Sequence, residues 1–265
     1  SNAMTLNLPN VTDGSGKPYG SCALYGDGSF QWGPVKKADV KMADDIASNI
    51  PIQVVDFNFG DAAAACKATS QGGYKDVYSA GYSGILGIEF FKQDCGPACT
   101  TTANNGRYYL CSGTSCASTT MALANQIVNP VPYLNNDNNG VIIQLPGLPD
   151  TGGVTPTGNL ILGIGTNSNN SVSNFTVLAA NPNNGFIQTT YSGQTYKSII
   201  DTGSQGTYFP SSTIPVCSSA NSWYCPTSLL NLSANLYNTA GSVQKAVSFN
   251  VQSADKLLVP NNAFN

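Results

Sequence analysis

Cysteine content constrains this chain more than any other feature of its sequence. Eight cysteines occur in 265 residues, and most of them lie in pairs that are close in the sequence. An even number of closely spaced cysteines is typical of disulfides that form in an oxidising compartment. Among the many possible connectivities, the spacing favours three local disulfides and one long-range disulfide: Cys95–Cys99, Cys111–Cys116, Cys217–Cys225 and Cys22–Cys66.

Zinc is the alternative for two of these pairs, because the Cys95/Cys99 and Cys111/Cys116 spacings overlap with those of metal sites. The composition favours disulfides and no metal. Charged residues make up 9% of the chain, and Asn, Ser, Thr and Gln supply most of its polarity, as in loop-rich extracellular proteins. We therefore expect a secreted, periplasmic or cell-surface protein. The net charge of −3 argues against a nucleic-acid partner, which would require a basic surface.

Histidine is absent from the chain. Its absence excludes Ser-His-Asp and Cys-His catalysis and any histidine-ligated metal, so carboxylates would have to carry acid–base chemistry. No apolar run reaches the length needed to span a membrane, no signal peptide is present, and no cofactor is expected. Residues 1–3 have the sequence of a remnant left by a cleaved expression tag.

The clearest chemical signal is the sequence Ile199-Ile200-Asp201-Thr202-Gly203-Ser204. Its two β-branched residues predict a strand that ends in a tight loop carrying one carboxylate, Asp201. Gly203 has no side chain, so backbone or substrate atoms can come close to the loop. The hydroxyls of Thr202 and Ser204 can donate hydrogen bonds to the acid. A plain β-turn is the alternative interpretation, since Asp, Gly and Ser are common turn residues.

A β-hairpin is predicted earlier in the chain, at residues 22–42. Apolar and polar residues alternate on both sides of a glycine-bearing tip that reads Tyr25-Gly26-Asp27-Gly28-Ser29. The simpler interpretation is an ordinary hairpin with Tyr25 in a cross-strand pair.

Together, and in this order, the two motifs resemble the flap and the active-site loop of pepsin-like aspartic proteases, whose flap tip reads Tyr-Gly-Thr-Gly-Ser. The resemblance implies an all-β fold of two β-barrel lobes with short helices. The N-terminal lobe would be residues 4–134, with a flap formed by Tyr25, Gly26, Asp27 and Gly28. The C-terminal lobe would be residues 135–265, with Asp201 as a catalytic residue supported by Thr202, Gly203 and Ser204. A peptide or protein substrate and a monomeric state are also implied.

The chemistry of that family needs two carboxylates that share one proton and one water. This sequence offers one credible Asp-Thr-Gly loop, because Asp13-Gly14-Ser15 and Asp150-Thr151-Gly152 lack an apolar strand before them. The first is predicted to be a turn and the second a plain loop. The Ile85-Leu86-Gly87 segment resembles the strand that would lie under the other active-site loop. We expect a bilobal protein trimmed at both ends, in which the chain alone is inactive.

Further elements follow from local patterns. We expect strands at residues 47–56, 140–145, 158–165, 175–178, 185–191, 194–196 and 246–251, with Ser192-Gly193 as a tight turn. Residues 121–129 have helical spacing and end before Pro130, and residues 61–66 could form a helical turn. Residues 92–119 form a cysteine-rich insertion.

Two functions fit these features. One is an aspartic endopeptidase, of which this chain holds half of the carboxylate pair. The other is a catalytically inactive pepsin-like binding or inhibitor domain, for which Asp27 in the flap tip and the insertion at residues 92–119 give the motivation.

Overall fold

The computed structural model describes residues 7–26, 28–62, 66, 72–74, 80–204, 206–218, 222–259 and 263. The chain is mostly β-sheet with a few short helices, so the all-β prediction is confirmed. It divides into two compact units, Ser1–Gly140 and Val141–Asn265, shortly after the boundary expected at residues 134/135. None of the helices in the described residues combines the length and the apolar character needed to cross a membrane.

The first unit is built on one sheet with the strand order β3-β2-β1-β5-β6. All of these strands pair in antiparallel fashion, whereas β4 pairs with β2 in parallel. The helical elements are α1 (Pro97–Thr101) and the 3₁₀ turns Leu123–Asn125 and Val131–Tyr133. The strands are β1 (Tyr19–Leu24), β2 (Ser29–Met42), β3 (Asp45–Gln53), β4 (Gly72–Gly73), β5 (Tyr108–Ser112) and β6 (Ser115–Ser118).

Strand β2 is buried on both faces of this sheet, since every residue from 29 to 35 is buried. Side chains alternate between the two faces of a strand, so Trp32 and Val35 point in opposite directions. Trp32 lies in one apolar cluster with Cys22 and Tyr109, while Val35 lies in another with Tyr108 and Met121. Strand β2 therefore separates two cores.

Close packing around β2 explains Gly33. A Cβ at this position would lie 1.9 Å from the backbone oxygen of Val54, so only glycine fits. Trp32 is fully buried, and its indole N–H donates to the Phe59 carbonyl at 2.8 Å. Burial of such a side chain stabilises the fold by about 3 kcal/mol.

All four disulfides expected from the spacing are present: Cys22–Cys66, Cys95–Cys99, Cys111–Cys116 and Cys217–Cys225. No cysteine thiol is left free, so the zinc interpretation of the close pairs is wrong. Disulfides of this number indicate a chain that folds in an oxidising environment.

A buried carboxylate joins the start of β3 to the end of the first unit. Asp45 is 7% exposed, and its oxygens accept hydrogen bonds from the backbone N–H groups of Ile46, Asn135 and Asn136 at 2.9 to 3.2 Å. The carboxylate thus gives an acceptor to three backbone N–H groups, of which that of Asn135 also donates to the Ile46 carbonyl at 3.2 Å.

A second acidic side chain lies beside the Cys95–Cys99 disulfide. The hydroxyl of Tyr108 donates to Asp94 Oδ1 at 2.5 Å and accepts from the Ile127 N–H at 2.8 Å. Burial raises the pKa of Asp94 above its ordinary value of 3.8, although Tyr108 and Arg107 act in the opposite direction. Burial also raises the pKa of Tyr108.

The raised pKa of Asp94 makes the stability of the first unit depend on pH. The folded state favours the protonated carboxyl, so this contribution is complete below the unfolded pKa of about 3.9 and is lost as pH rises through the folded pKa. We expect the free energy of unfolding of Asp94→Asn to fall less with rising pH than that of the wild type. Urea titrations at several pH values measure this, with exposed Asp44→Asn as the control. A difference in the free energy of unfolding between Asp94→Asn and wild type that stays constant with pH would contradict this prediction.

The second unit contains a four-stranded sheet with the order β10-β9-β11-β12 and the separate β7–β8 hairpin. Its helical elements are the 3₁₀ turn Ser168–Asn170 and α2 (Ala254–Leu257). Each sheet is open in the described part of the chain. The strands are β7 (Val141–Gln144), β8 (Asn159–Leu162), β9 (Ile187–Tyr191), β10 (Gln194–Ser198), β11 (Leu230–Tyr237) and β12 (Gln244–Val251).

The β9–β10 hairpin has the two-residue turn predicted at Ser192-Gly193. Both residues have positive φ, 49° and 78°. A type I′ turn requires positive φ at both central residues, and its twist matches that of the two flanking strands. The four-stranded sheet then presents two chemically different faces. Leu232 lies opposite Phe249 on the apolar face, whereas Ser233 lies opposite Ser248 on the polar face.

The helix expected at residues 121–129 is wrong. Only Leu123–Asn125 forms a 3₁₀ turn. The side chain of Gln126 is fully buried and bonds to the backbone N–H and C=O of Gly96 and to the C=O of Met121. These tertiary hydrogen bonds hold the segment in an irregular path and override its helical spacing.

Two of the expected strands are also wrong. Residues 85–87 and 175–178 have no strand partner among the described residues, and their apolar side chains are exposed, by 56% for Ile85 and 61% for Phe175. A β-branched or aromatic run forms a strand only where a neighbouring strand accepts its backbone hydrogen bonds. Residues 1–3, Asp27 and residues 63–65 of the expected helical turn lie outside the described residues.

Candidate functional site

The Asp201 loop follows directly after β10. The expected lead-in strand is wrong in its last part, because β10 ends at Ser198 and the next two residues lie beyond the sheet. Ile199 and Ile200 are 59% and 73% exposed. Strand β10 leads into the loop, but the side chains of Ile199 and Ile200 are not part of a core.

The carboxylate of Asp201 is held by the loop itself. The backbone N–H of Gly203 donates to Oδ1 at 2.8 Å, and the hydroxyl of Ser204 donates to Oδ2. These two hydrogen bonds, the one from Ser204 foremost, lower the pKa of Asp201, because they stabilise the charged form. The acid is exposed, so it is an oriented, ionised group that solvent can reach.

The predicted support residues have different roles. Gly203 packs closely on the acid, since a Cβ there would lie 3.3 Å from Asp201 Oδ1. Ser204 supplies the side-chain hydrogen bond that the sequence suggested. The donors to Asp201 in the described residues are those of Gly203 and Ser204, while the hydroxyl of Thr202 is not among them.

Aromatic packing fixes the C-terminal end of the loop. A Cβ at Gly206 would lie 2.8 Å from the ring of Trp223, so the loop backbone lies directly against the indole. The ring of Phe209 packs on Phe249 of β12, with 5.4 Å between centroids, and the hydroxyl of Tyr224 donates to the Phe209 carbonyl at 2.8 Å. These anchors were not predicted from the sequence, although the Tyr208-Phe209 and Trp223-Tyr224 pairs near the Cys217–Cys225 disulfide could have indicated them.

The tip predicted to be a flap is a β-hairpin turn between β1 and β2. The Tyr25 N–H donates to the Ser29 carbonyl and the Gly28 N–H to the Tyr25 carbonyl, both at 3.0 Å. The Tyr25 hydroxyl donates to Gln31 Oε1 at 2.7 Å. Gly26 is exposed at the turn. Tyr25 belongs to the first unit, and Asp201 belongs to the second.

The two other motifs that resemble the Asp201 loop also lie outside strands: Asp13 begins a turn, as predicted, and the loop predicted at Asp150 contains a turn. Asp13 accepts hydrogen bonds from the backbone N–H and the hydroxyl of Ser15, and hydrogen bonds lower its pKa as well, the one from the Lys17 N–H foremost. Asp150 is exposed and accepts from the Asn250 side-chain amide at 2.9 Å. An aspartate held by hydrogen bonds from its own turn is therefore not specific to the Asp201 loop, since Asp13 is held in the same way.

One group of metal-ligand atom types occurs in the described part of the chain, formed by Cys217, Cys225 and Asp255 within 4.8 Å of one another. The two sulfur atoms are bonded to each other, so they have no thiolate to offer a metal.

Comparison with known proteins gives one match. No curated protein and no solved structure matches this chain. The profile of a family described as "Protein of unknown function (DUF3443)" matches residues 1–265. The chain therefore belongs to the DUF3443 family.

Proposed function

We propose that Asp201 is one of two carboxylates in an aspartic-endopeptidase-like protein. The observation that carries the proposal is the exposed carboxylate of Asp201, oriented by the Gly203 N–H and the Ser204 hydroxyl. A general base needs a fixed position, access to water and a charge that persists at the working pH. The lowered pKa of Asp201 provides that charge into the acid range.

In this mechanism the two carboxylates hold one proton between them. The ionised carboxylate removes a proton from water as the water attacks the peptide carbonyl, and the protonated carboxyl donates its proton to the carbonyl oxygen. Asp201 fits the first role, because its hydrogen bonds favour the charged form. The second carboxylate has no counterpart among the motifs of this sequence, so this chain alone should be inactive. The pepsin-like bilobal barrel, with Tyr25 in a flap, is part of the proposal.

The four disulfides support a secreted, periplasmic or cell-surface location for this activity. A protease of this kind would act there on peptide or protein substrates.

A pH–rate profile tests the assignment of Asp201. In the natural full-length protein, Asp201→Asn should lower proteolysis of a denatured protein at acid pH at least about a hundredfold, because a general base is lost. Asp13→Asn is a matched control, since Asp13 is half-buried but, like Asp201, accepts from a serine hydroxyl and a backbone N–H and has a lowered pKa. This control should keep wild-type activity. Unchanged acid proteolysis by Asp201→Asn would overturn the proposal.

A binding function without catalysis is the second candidate. The exposure of Ile199 and Ile200 beside Asp201 favours it, because apolar side chains next to an oriented acid form a contact surface that needs no second carboxylate. Two results together would favour this candidate over the first. The wild-type full-length protein would bind a peptide or protein ligand without proteolysis, and Ile200→Ser would lose that binding.

A further inference from the structure

The second unit contains a cavity of about 370 Å³ that is separate from the Asp201 loop. Its walls come from β12, from residues 148–150 and from α2. Ser248, Phe249 and Asn250 all line it. Consecutive residues of a strand point to opposite faces, so a cavity lined by all three lies beside the strand and not above one face.

Strand β12 is the last strand of its sheet. In the described part of the chain it pairs with β11 on one side only. Along its other side, alternate residues therefore present backbone N–H and C=O groups that can pair with a further strand. Residues 244–251 contain no proline, and Lys245, the one charge on the strand, lies at its far end from the cavity. None of the described residues pairs with this side of β12, which therefore offers an extended peptide a place to pair.

Residues 148–150 supply a carboxylate to the cavity. Asp150 is oriented by the Asn250 amide, which donates to Oδ1 at 2.9 Å. None of the described residues donates to Oδ2, which is therefore available to a ligand. Leu148 and Leu257 line the same cavity and add apolar surface to it. The combination suits a long side chain with an aliphatic stem and a cationic end.

We propose that this cavity binds an extended peptide that carries a lysine or arginine side chain. The peptide backbone pairs with the open side of β12, in the manner of an added strand. The aliphatic stem of the basic side chain lies on Leu148 and Leu257, and its charged end reaches Asp150 Oδ2. Phe249 gives the cavity a fixed wall, because its ring is held against Phe209. This binding does not depend on Asp201 or on proteolysis.

The charge part of the proposal is tested with blocked pentapeptides. The probe is acetyl-Thr-Val-Lys-Val-Thr-amide, compared by calorimetry with the peptide in which norleucine replaces lysine. Because Asp150 is exposed, we expect the lysine peptide to bind about threefold more tightly. Asp150→Asn should remove this preference. Asp255→Asn, which removes the same charge from an exposed site in α2 outside the cavity lining, should keep it. Equal affinity of the wild type for both peptides, or no binding, would overturn the proposal.

The strand-pairing part needs a different probe. A lysine peptide with one N-methylated valine loses a backbone donor, so it should bind about fivefold more weakly if that donor pairs with β12. Amide resonances of β12 should shift with the unmethylated peptide. Equal binding of both peptides, or dimerisation of the chain through β12 that excludes the peptide, would overturn this assignment.

Discussion

Replacing Cys22 and Cys66 together by alanine is expected to lower the free energy of unfolding of the first unit by about 4 kcal/mol. The disulfide joins residues that are 44 positions apart, so its loss releases a large closed loop in the unfolded chain. Both cysteines are also buried in the cluster around Trp32, so the substitution removes apolar contacts as well. The expected loss is a large part of the stability of a small domain.

The control is the corresponding change at Cys95 and Cys99. This disulfide closes a loop of only 4 positions, so the same argument predicts a loss of about 2 kcal/mol. Urea unfolding followed by the fluorescence of Trp32, in a Trp223→Phe background, reports on the first unit alone. Equal losses in the free energy of unfolding for the two cysteine pairs would show that loop closure is not the main contribution of these disulfides to stability.

Asp45→Ala is expected to lower the free energy of unfolding by about 3 kcal/mol. The buried carboxylate accepts hydrogen bonds from three backbone N–H groups, and its removal breaks all three, leaving only the N–H of Asn135 with its second acceptor, the Ile46 carbonyl. Asp45→Asn should lose less stability, because its side-chain oxygen can still accept hydrogen bonds from the backbone N–H groups of Ile46 and Asn135.

The adjacent acid gives a matched control for this prediction. Asp44 is exposed, so Asp44→Ala should change stability by less than about 0.5 kcal/mol. The same urea assay measures all three variants. A loss for Asp45→Ala no larger than that for Asp44→Ala would contradict the role of this carboxylate.

The sequence predicted the hairpins and the disulfides well, because their signals are local. The glycine-bearing tip after β1, the Ser192-Gly193 turn and the close cysteine pairs each depend on residues near one another in the chain. The expected strand at residues 47–56 corresponds to β3, whose Pro51 lies on a strand at the edge of its sheet, where a missing N–H is tolerated.

Other predictions failed because the structure is decided by distant partners. Gln126 bonds to Gly96, and nothing in the spacing of residues 121–129 reveals that partner. Ile85 and Phe175 are good strand residues, but no described strand pairs with them. In the candidate site, the hydrogen bonds to Asp201 come from residues two and three positions away and were foreseeable, whereas the contact of Gly206 with Trp223 required the folded chain.

The burial of β2 on both faces has a consequence for how the first unit unfolds. The clusters of Trp32 and Val35 pack on the same stretch of backbone, one on each face. Separation of β2 from β1 or β3 would expose both clusters to solvent at once. We therefore expect the two cores to unfold together as one cooperative unit.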